Sequence, residues 1–149
     1  MKQNENNFNM NEEECDVFVV GGGPAGATVA NELAVQGVKV VLLDKAGRIK
    51  PCGGAIPPRA IKDYKIPDEL LVAKAKCARM ISPKEKKVDM PIENGFVGMV
   101  DREVFDEWLR NRASSNGATR KIGSFENIER VGNNLFVHFQ ERESVSSVN

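Results

Sequence analysis

The chain has 149 residues, is 41% apolar and sets 21 basic against 21 acidic side chains, so it is about one domain with no net field to favour nucleic acid or an acidic membrane surface. Its three cysteines, Cys15, Cys52 and Cys77, form no CxxC pair and fit a reduced, cytoplasmic setting. No apolar stretch approaches the roughly 20 residues of a membrane-spanning helix, and no charged-then-apolar signal precedes the first strand.

Residues 1–14 are rich in Asn and Glu and lack periodicity, so they read as a disordered extension. The β-branched run 17–20 then reads as a strand buried on both faces of a parallel sheet. It stops at Gly21-Gly22-Gly23-Pro24-Ala25-Gly26, where Pro24 suits a first helical turn. Val29 with Leu33 and Ala30 with Ala34 recur at helical spacing through 24–36, and Gly37 suits the helix end. A second strand, 39–43, ends at Asp44.

This arrangement is a dinucleotide-binding βαβ unit, and each glycine of its fingerprint has a mechanical task. Gly21 permits the tight turn, Gly23 leaves no side chain between backbone and pyrophosphate, and Gly26 lets helix and strand pack closely. The phosphates belong on the helix start, where free N–H groups and the helix dipole attract anions. Asp44 lies 18 residues after Gly26, in place to accept hydrogen bonds from adenosine ribose hydroxyls. A carboxylate there repels a 2′-phosphate, so the site suits FAD or NAD rather than NADP.

The next segment, 45–58, holds Arg48 and Lys50 before a Pro51-Cys52-Gly53-Gly54 turn. The two glycines permit close backbone approach to a flat ring, and the two cations suit phosphate or ribityl oxygens. Taken alone, Cys52 reads by default as a structural thiol. Residues 59–75 read as short helices, with Pro67-Asp68 opening one over 69–74. Strands at 76–82 and 86–90 flank the turn Pro83-Lys84-Glu85.

A helix runs from Arg102 to about Ser115, capped by Asp101 and closed by Gly117, with Val104, Phe105, Trp108, Leu109 and Ala113 as its core stripe. Residues 119–122 suit the parallel sheet, and 124–131 suit a hairpin with 135–140 across Gly132-Asn133-Asn134. His138, the one histidine, reads as a solvent-facing strand residue rather than a base. The domain so defined spans 15–140, with a frayed tail at 141–149.

Several strings together resemble the geranylgeranyl reductases, particularly the bacterial (bacterio)chlorophyll-pathway type: residues 21–26, Asp44-Lys45, Lys50-Pro51-Cys52-Gly53-Gly54-Ala55-Ile56-Pro57, Met80-Ile81-Ser82-Pro83 and residues 97–106. The resemblance covers 16 to about 125 and only the N-terminal part of such proteins. It implies an α/β, Rossmann-like FAD-binding unit of the p-hydroxybenzoate hydroxylase-like fold, incomplete, with the hairpin beginning an antiparallel substrate layer. It also implies FAD bound by Gly21, Gly23, Pro24, Ala25, Gly26, Asp44, Lys45, Gly53, Gly54 and Arg102, with Cys52 near the flavin ring as proton donor or ring contact.

The reaction implied is reduction of isolated double bonds of a geranylgeranyl chain to phytyl, with NADPH or another donor. The prenyl substrate is either a free diphosphate or chlorin-attached, and a lipid substrate implies peripheral membrane contact. Neither a metal nor an oligomeric state is implied. Two further flavin motifs of the family, an Asp-Gly and a later Gly-Asp segment, do not occur here. A truncated, inactive nucleotide-binding fragment is therefore an alternative. Another is a monooxygenase of the same fold, against which Pro51-Cys52-Gly53-Gly54 argues.

Overall fold

The computed structural model describes residues 13–46, 51–93 and 95–142. Its elements run β1 (Val17–Val20), α1 (Pro24–Val35), β2 (Val40–Asp44), β3 (Ala55–Ile56), α2 (Pro58–Asp63), a 3-10 turn (Asp68–Leu70) and β4 (Leu71–Ala75). After these come β5 (Cys77–Ile81), β6 (Lys87–Pro91), β7 (Val97–Val100), α3 (Arg102–Ser115), β8 (Thr119–Val131) and β9 (Asn134–Glu141).

The principal sheet has the order β1-β2-β8-β9, with β1 and β8 both parallel to β2. Strand β2 is flanked by parallel strands on both sides, and Val40, Val41, Leu42 and Leu43 are at most 3% exposed. The expectation that β1 is equally buried is corrected: it lies at a sheet edge among the described strands, is half-buried, and leaves Val20 exposed. Val17 and Val19 pack toward the core, whereas Phe18 meets Phe139 of β9 with ring centroids 5.5 Å apart.

Helices α1 and α3 pack against each other and over the Val40 and Leu42 face of β2. The contact is close because α1 presents Ala27, Ala30 and Ala34, while Val29 is left exposed. From α3 come Phe105, Leu109 and Ala113, spaced one turn apart. Val104, expected in this stripe, is instead exposed, since it sits off that one-turn series. Asp101 caps α3 as expected, its Oδ1 accepting from the Glu103 amide at 2.9 Å.

Residues expected as two strands, 119–122 and 124–131, form one continuous β8. Gly123 marks the passage from parallel sheet to hairpin: a Cβ there would lie 2.4 Å from the Gln140 carbonyl oxygen. His138 is half-buried on β9, its Nε2 3.4 Å from Glu129 across the hairpin.

The helix expected over 69–74 is also corrected. Only Asp68–Leu70 is helical, and Leu71–Ala75 is a strand antiparallel to β7, which pairs with β3 on its other side. Pairing with β7 outweighs local propensity, a tertiary effect typical of short segments. The hairpin of β5 and β6 forms as expected, with both strands exposed and Arg79 clasping Asp89 at 2.6 and 2.8 Å.

Candidate functional site

Strand β1 delivers the glycine turn beside the end of β2. Gly21 has φ +104° and its N–H donates to the Leu43 carbonyl at 2.8 Å, so the turn is tied to β2 as it begins. A Cβ on Gly26 would lie 1.9 Å from the Gly21 carbonyl oxygen, so turn and helix touch backbone to backbone. A Cβ on Gly23 would meet nothing within 4 Å, leaving open space over the helix start.

That helix start has no acceptor of its own. Gly23 is the N-cap of α1, no side chain caps it, and the first turn holds no acidic residue. The early amides of Ala25 and Gly26 therefore lack a side-chain partner, and an anion is the natural complement. A cavity of about 270 Å³ lies against this turn, lined by Gly21, Gly22, Gly23, Asp44, Lys45 and Phe125 among others.

Asp44 carries a partner that the sequence reading did not foresee. Arg110, buried on α3, brings its Nη1 to 3.2 Å from Asp44 Oδ2 and donates from the same nitrogen to the Gly22 carbonyl at 3.0 Å. Asp44 Oδ2 is buried, lies against the Arg110 cation and has no aligned hydrogen bond. Gly22 packs directly on the pair: a Cβ there would lie 2.9 Å from Asp44 Cβ and 3.0 Å from Arg110 Cδ. The missed signal was the extra glycine, Gly22, since the fingerprint needs only Gly21, Gly23 and Gly26.

The far side of Arg110 is held by Glu107, at 3.0 Å from Nε and 2.9 Å from Nη2. Arg120 closes the row, donating to both Glu107 oxygens at 2.6 and 2.9 Å. Arg120 and then Arg110 hold the Glu107 carboxyl below its ordinary range, against the opposing effect of burial.

A second cavity, of about 470 Å³, opens on the other side of the start of α1. Pro24, Ala25 and Val29 form one wall, and Cys52, Gly54, Ile56, Tyr64, Arg102 and Phe105 contribute others. The Cys52 turn is pinned by Gly54, which has φ +69° and whose absent Cβ would lie 2.2 Å from the Val100 carbonyl oxygen. Arg102 pairs bidentately with buried Asp106 at 2.8 and 2.8 Å. This pair, with a smaller contribution from hydrogen bonding to the nearby Cys52 thiol, pushes the Arg102 guanidinium above its ordinary range.

The residues singled out by sequence thus fall into two groups. Gly21, Gly23, Asp44 and Lys45 share the smaller cavity; Pro24, Ala25, Cys52, Gly54 and Arg102 share the larger. Gly26 serves the packing between them. Gly53 is exposed and lines neither cavity, while Arg48 and Lys50 lie outside the described residues. Among the described residues no cluster of His, Cys, Asp and Glu is arranged to hold a metal, and no helix is long and apolar enough to cross a membrane.

Comparison with known proteins relates the chain to flavoproteins. Residues 14–55 match the family described as FAD binding domain. The chain is 62% identical over 127 residues to geranylgeranyl diphosphate reductase of Rhodobacter capsulatus, covering 85% of this chain and 32% of that protein. It is 39% identical over 135 residues to the chloroplastic geranylgeranyl diphosphate reductase of Oryza sativa subsp. japonica, covering 86% of this chain and 29% of that one. A geranylgeranyl bacteriochlorophyll reductase-like protein from Thermoplasma acidophilum superposes with a TM-score of 0.77 at 25% identity, over 85% of this chain and 35% of that one. The chain therefore spans about a third of the length of the curated relatives it matches. Its fold is the Rossmann-like FAD-binding unit of the p-hydroxybenzoate hydroxylase-like flavoproteins.

Proposed function

The chain belongs to the geranylgeranyl reductase family, and from that premise we propose that it forms the FAD-binding part of an oxidoreductase that reduces isolated double bonds of a geranylgeranyl chain to phytyl. The observation that carries this reading is the pair of cavities flanking the uncapped start of α1, one holding Asp44 and the other Cys52, Gly54 and Arg102. A dinucleotide needs these three features in that order: an acceptor for the ribose, amides for the pyrophosphate, and an apolar slot beyond it.

The residues present fit FAD. Asp44 Oδ2 is a buried acceptor with no aligned donor, and the Gly23 Cβ position is open. Gly21, Gly22, Gly23, Asp44 and Lys45 would hold the adenosine side, and Ala25 and Gly26 the phosphates. Pro24, Cys52, Gly54 and Arg102 would face the flavin side. Bound FAD supplies hydride transfer to an alkene carbon, which no side chain can perform. The chain's own residues orient the group and keep the slot apolar, and the Cys52 thiol beside Arg102 is the candidate proton donor.

NADPH is the proposed reductant, acting from a place other than the Asp44 cavity, where a 2′-phosphate meets a carboxylate. The substrate is a prenyl chain on a diphosphate or on a chlorin, reached at a membrane surface. The test is an FAD titration of the purified chain followed by a reductase assay with both prenyl substrates. Binding with turnover supports the whole reading, and binding without turnover reduces it to a nucleotide-binding module. A folded chain that fails to bind FAD removes it.

A further inference from the structure

We propose that Arg110 is a positioning residue for the nucleotide site, holding the Asp44 carboxylate and the glycine turn together so that the cavity prefers ligands carrying an adenosine ribose. The inference rests on the FAD reading above and adds a residue that no nucleotide motif contains. Arg110 lies on α3, 66 positions after Asp44 in the chain, yet it is 7% exposed and its guanidinium meets both Asp44 and Gly22. Arg110 does not line the cavity that those two residues line, so it acts through them and does not touch the ligand.

Three observations give it that task. The Gly22 backbone has no room for a side chain against Asp44 and Arg110, so the turn rests directly on the ion pair. The guanidinium is fixed from behind by Glu107, itself gripped by Arg120, so it has little freedom to swing away. Asp44 Oδ2, 3.2 Å from the Arg110 cation, is neutralised yet has no aligned hydrogen bond. A half-buried carboxylate without its cation would turn toward water, and that change would displace the acceptor that a ribose hydroxyl needs. With Arg110 in place the carboxylate is held still at the edge of the cavity that it lines.

The same arrangement predicts a selectivity. FAD carries the adenosine ribose and FMN does not, so a residue acting through Asp44 affects the first and leaves the second. The experiment titrates FAD and FMN, by flavin fluorescence, into the wild-type chain and into Arg110→Met, Arg110→Lys, Asp44→Asn and the Asp44→Asn/Arg110→Met double variant, with circular dichroism melts on each. Expected for Arg110→Met is an FAD affinity roughly tenfold or more weaker, as for loss of a hydrogen bond to a charged group. FMN affinity should change by less than about twofold. The double variant should match Asp44→Asn within about twofold, because the two residues act as one unit. Arg110→Lys should recover part of the loss, since its ammonium keeps the charge but cannot span Gly22 and Glu107 at once.

Undiminished FAD binding by Arg110→Met, equal losses for FAD and FMN, or losses that multiply in the double variant would each overturn the proposal while leaving the FAD reading intact. A folded wild-type chain without FAD affinity would overturn both. If Arg110→Met does not fold, the comparison of Asp44→Asn with the double variant decides, and any difference beyond about threefold counts against the proposal.

Discussion

Gly23 and Gly26 stand three residues apart in one turn, and the structure gives them opposite reasons for being glycine. Adding a methyl to Gly26 puts a Cβ 1.9 Å from the Gly21 carbonyl oxygen, so backbone must move by roughly 1 Å or more before the contact is tolerable. Overpacking of this kind costs about 3 kcal/mol when both partners are main chain. Replacing glycine by alanine inside a helix returns about 1 kcal/mol, leaving a net loss of about 2 kcal/mol for Gly26→Ala. Gly23 has φ −73° and ψ −178°, which alanine adopts freely, and its Cβ meets nothing within 4 Å. The entropic gain of about 0.4–1 kcal/mol there is offset by alanine's poorer N-cap propensity, so Gly23→Ala should leave stability within about 0.5 kcal/mol. Its methyl nevertheless stands over the amides proposed to receive the pyrophosphate, and losing one charge-assisted hydrogen bond would weaken FAD binding about 10- to 100-fold. Urea unfolding and FAD titration on both variants separate the two effects. The reasoning is refuted if Gly23→Ala unfolds as early as Gly26→Ala, or if Gly23→Ala binds FAD like the wild type.

Three further outcomes follow from the same geometry. Leu42 is 0% exposed at the centre of β2, so Leu42→Ala should lose about 2–5 kcal/mol in urea unfolding; a loss below about 1 kcal/mol would mean that β2 is not the centre of the core. Arg102→Met leaves Asp106, 3% exposed, without its cation, and should lose about 3–5 kcal/mol, most of it recovered in Arg102→Met/Asp106→Asn; no recovery would deny the uncompensated charge. Arg120 and Arg110 hold Glu107 below its ordinary value of 4.5 in the folded chain, so its stabilisation is complete above pH 4.5 and disappears as pH falls through the lower folded value. Glu107→Gln should accordingly melt earlier than wild type at pH 7, with the two melting temperatures converging in acid; a gap that stays constant on acidification would contradict the assignment.

The elements over residues 17–44 were legible because their signals are local. A β-branched run, three glycines at fixed offsets and a carboxylate at a strand end each constrain the backbone within a few positions, and β1, α1 and β2 lie where those constraints put them. The 69–74 segment was misread because its strand character depends on a distant partner. Val97–Val100 pairs with Leu71–Ala75, and with that strand unassigned the acidic opening after Pro67 looked like a helix start. Gly22 and Arg110 were missed for a related reason. Nothing local distinguishes a buried arginine from its exposed neighbours on a charged helix such as α3; only the fold brings it to Asp44.

Helix α3 shows why a core stripe and a ligand site need not compete for the same residues. Phe105, Leu109 and Ala113 bury one face against α1 and β2, which fixes the height and rotation of the helix. Arg102 and Arg110 flank that face two turns apart, about 12 Å along the axis at 1.5 Å per residue. The first lines the Cys52 cavity and the second stands behind the Asp44 cavity, and each is neutralised by a carboxylate, Asp106 for one and Asp44 with Glu107 for the other. Pairing both cations lets the helix lie buried beside the proposed anion-binding turn without flooding it with positive charge. The apolar stripe thus sets the spacing between two arginines that address opposite sides of the start of α1, and a change in packing at Leu109 would be felt in both cavities at once.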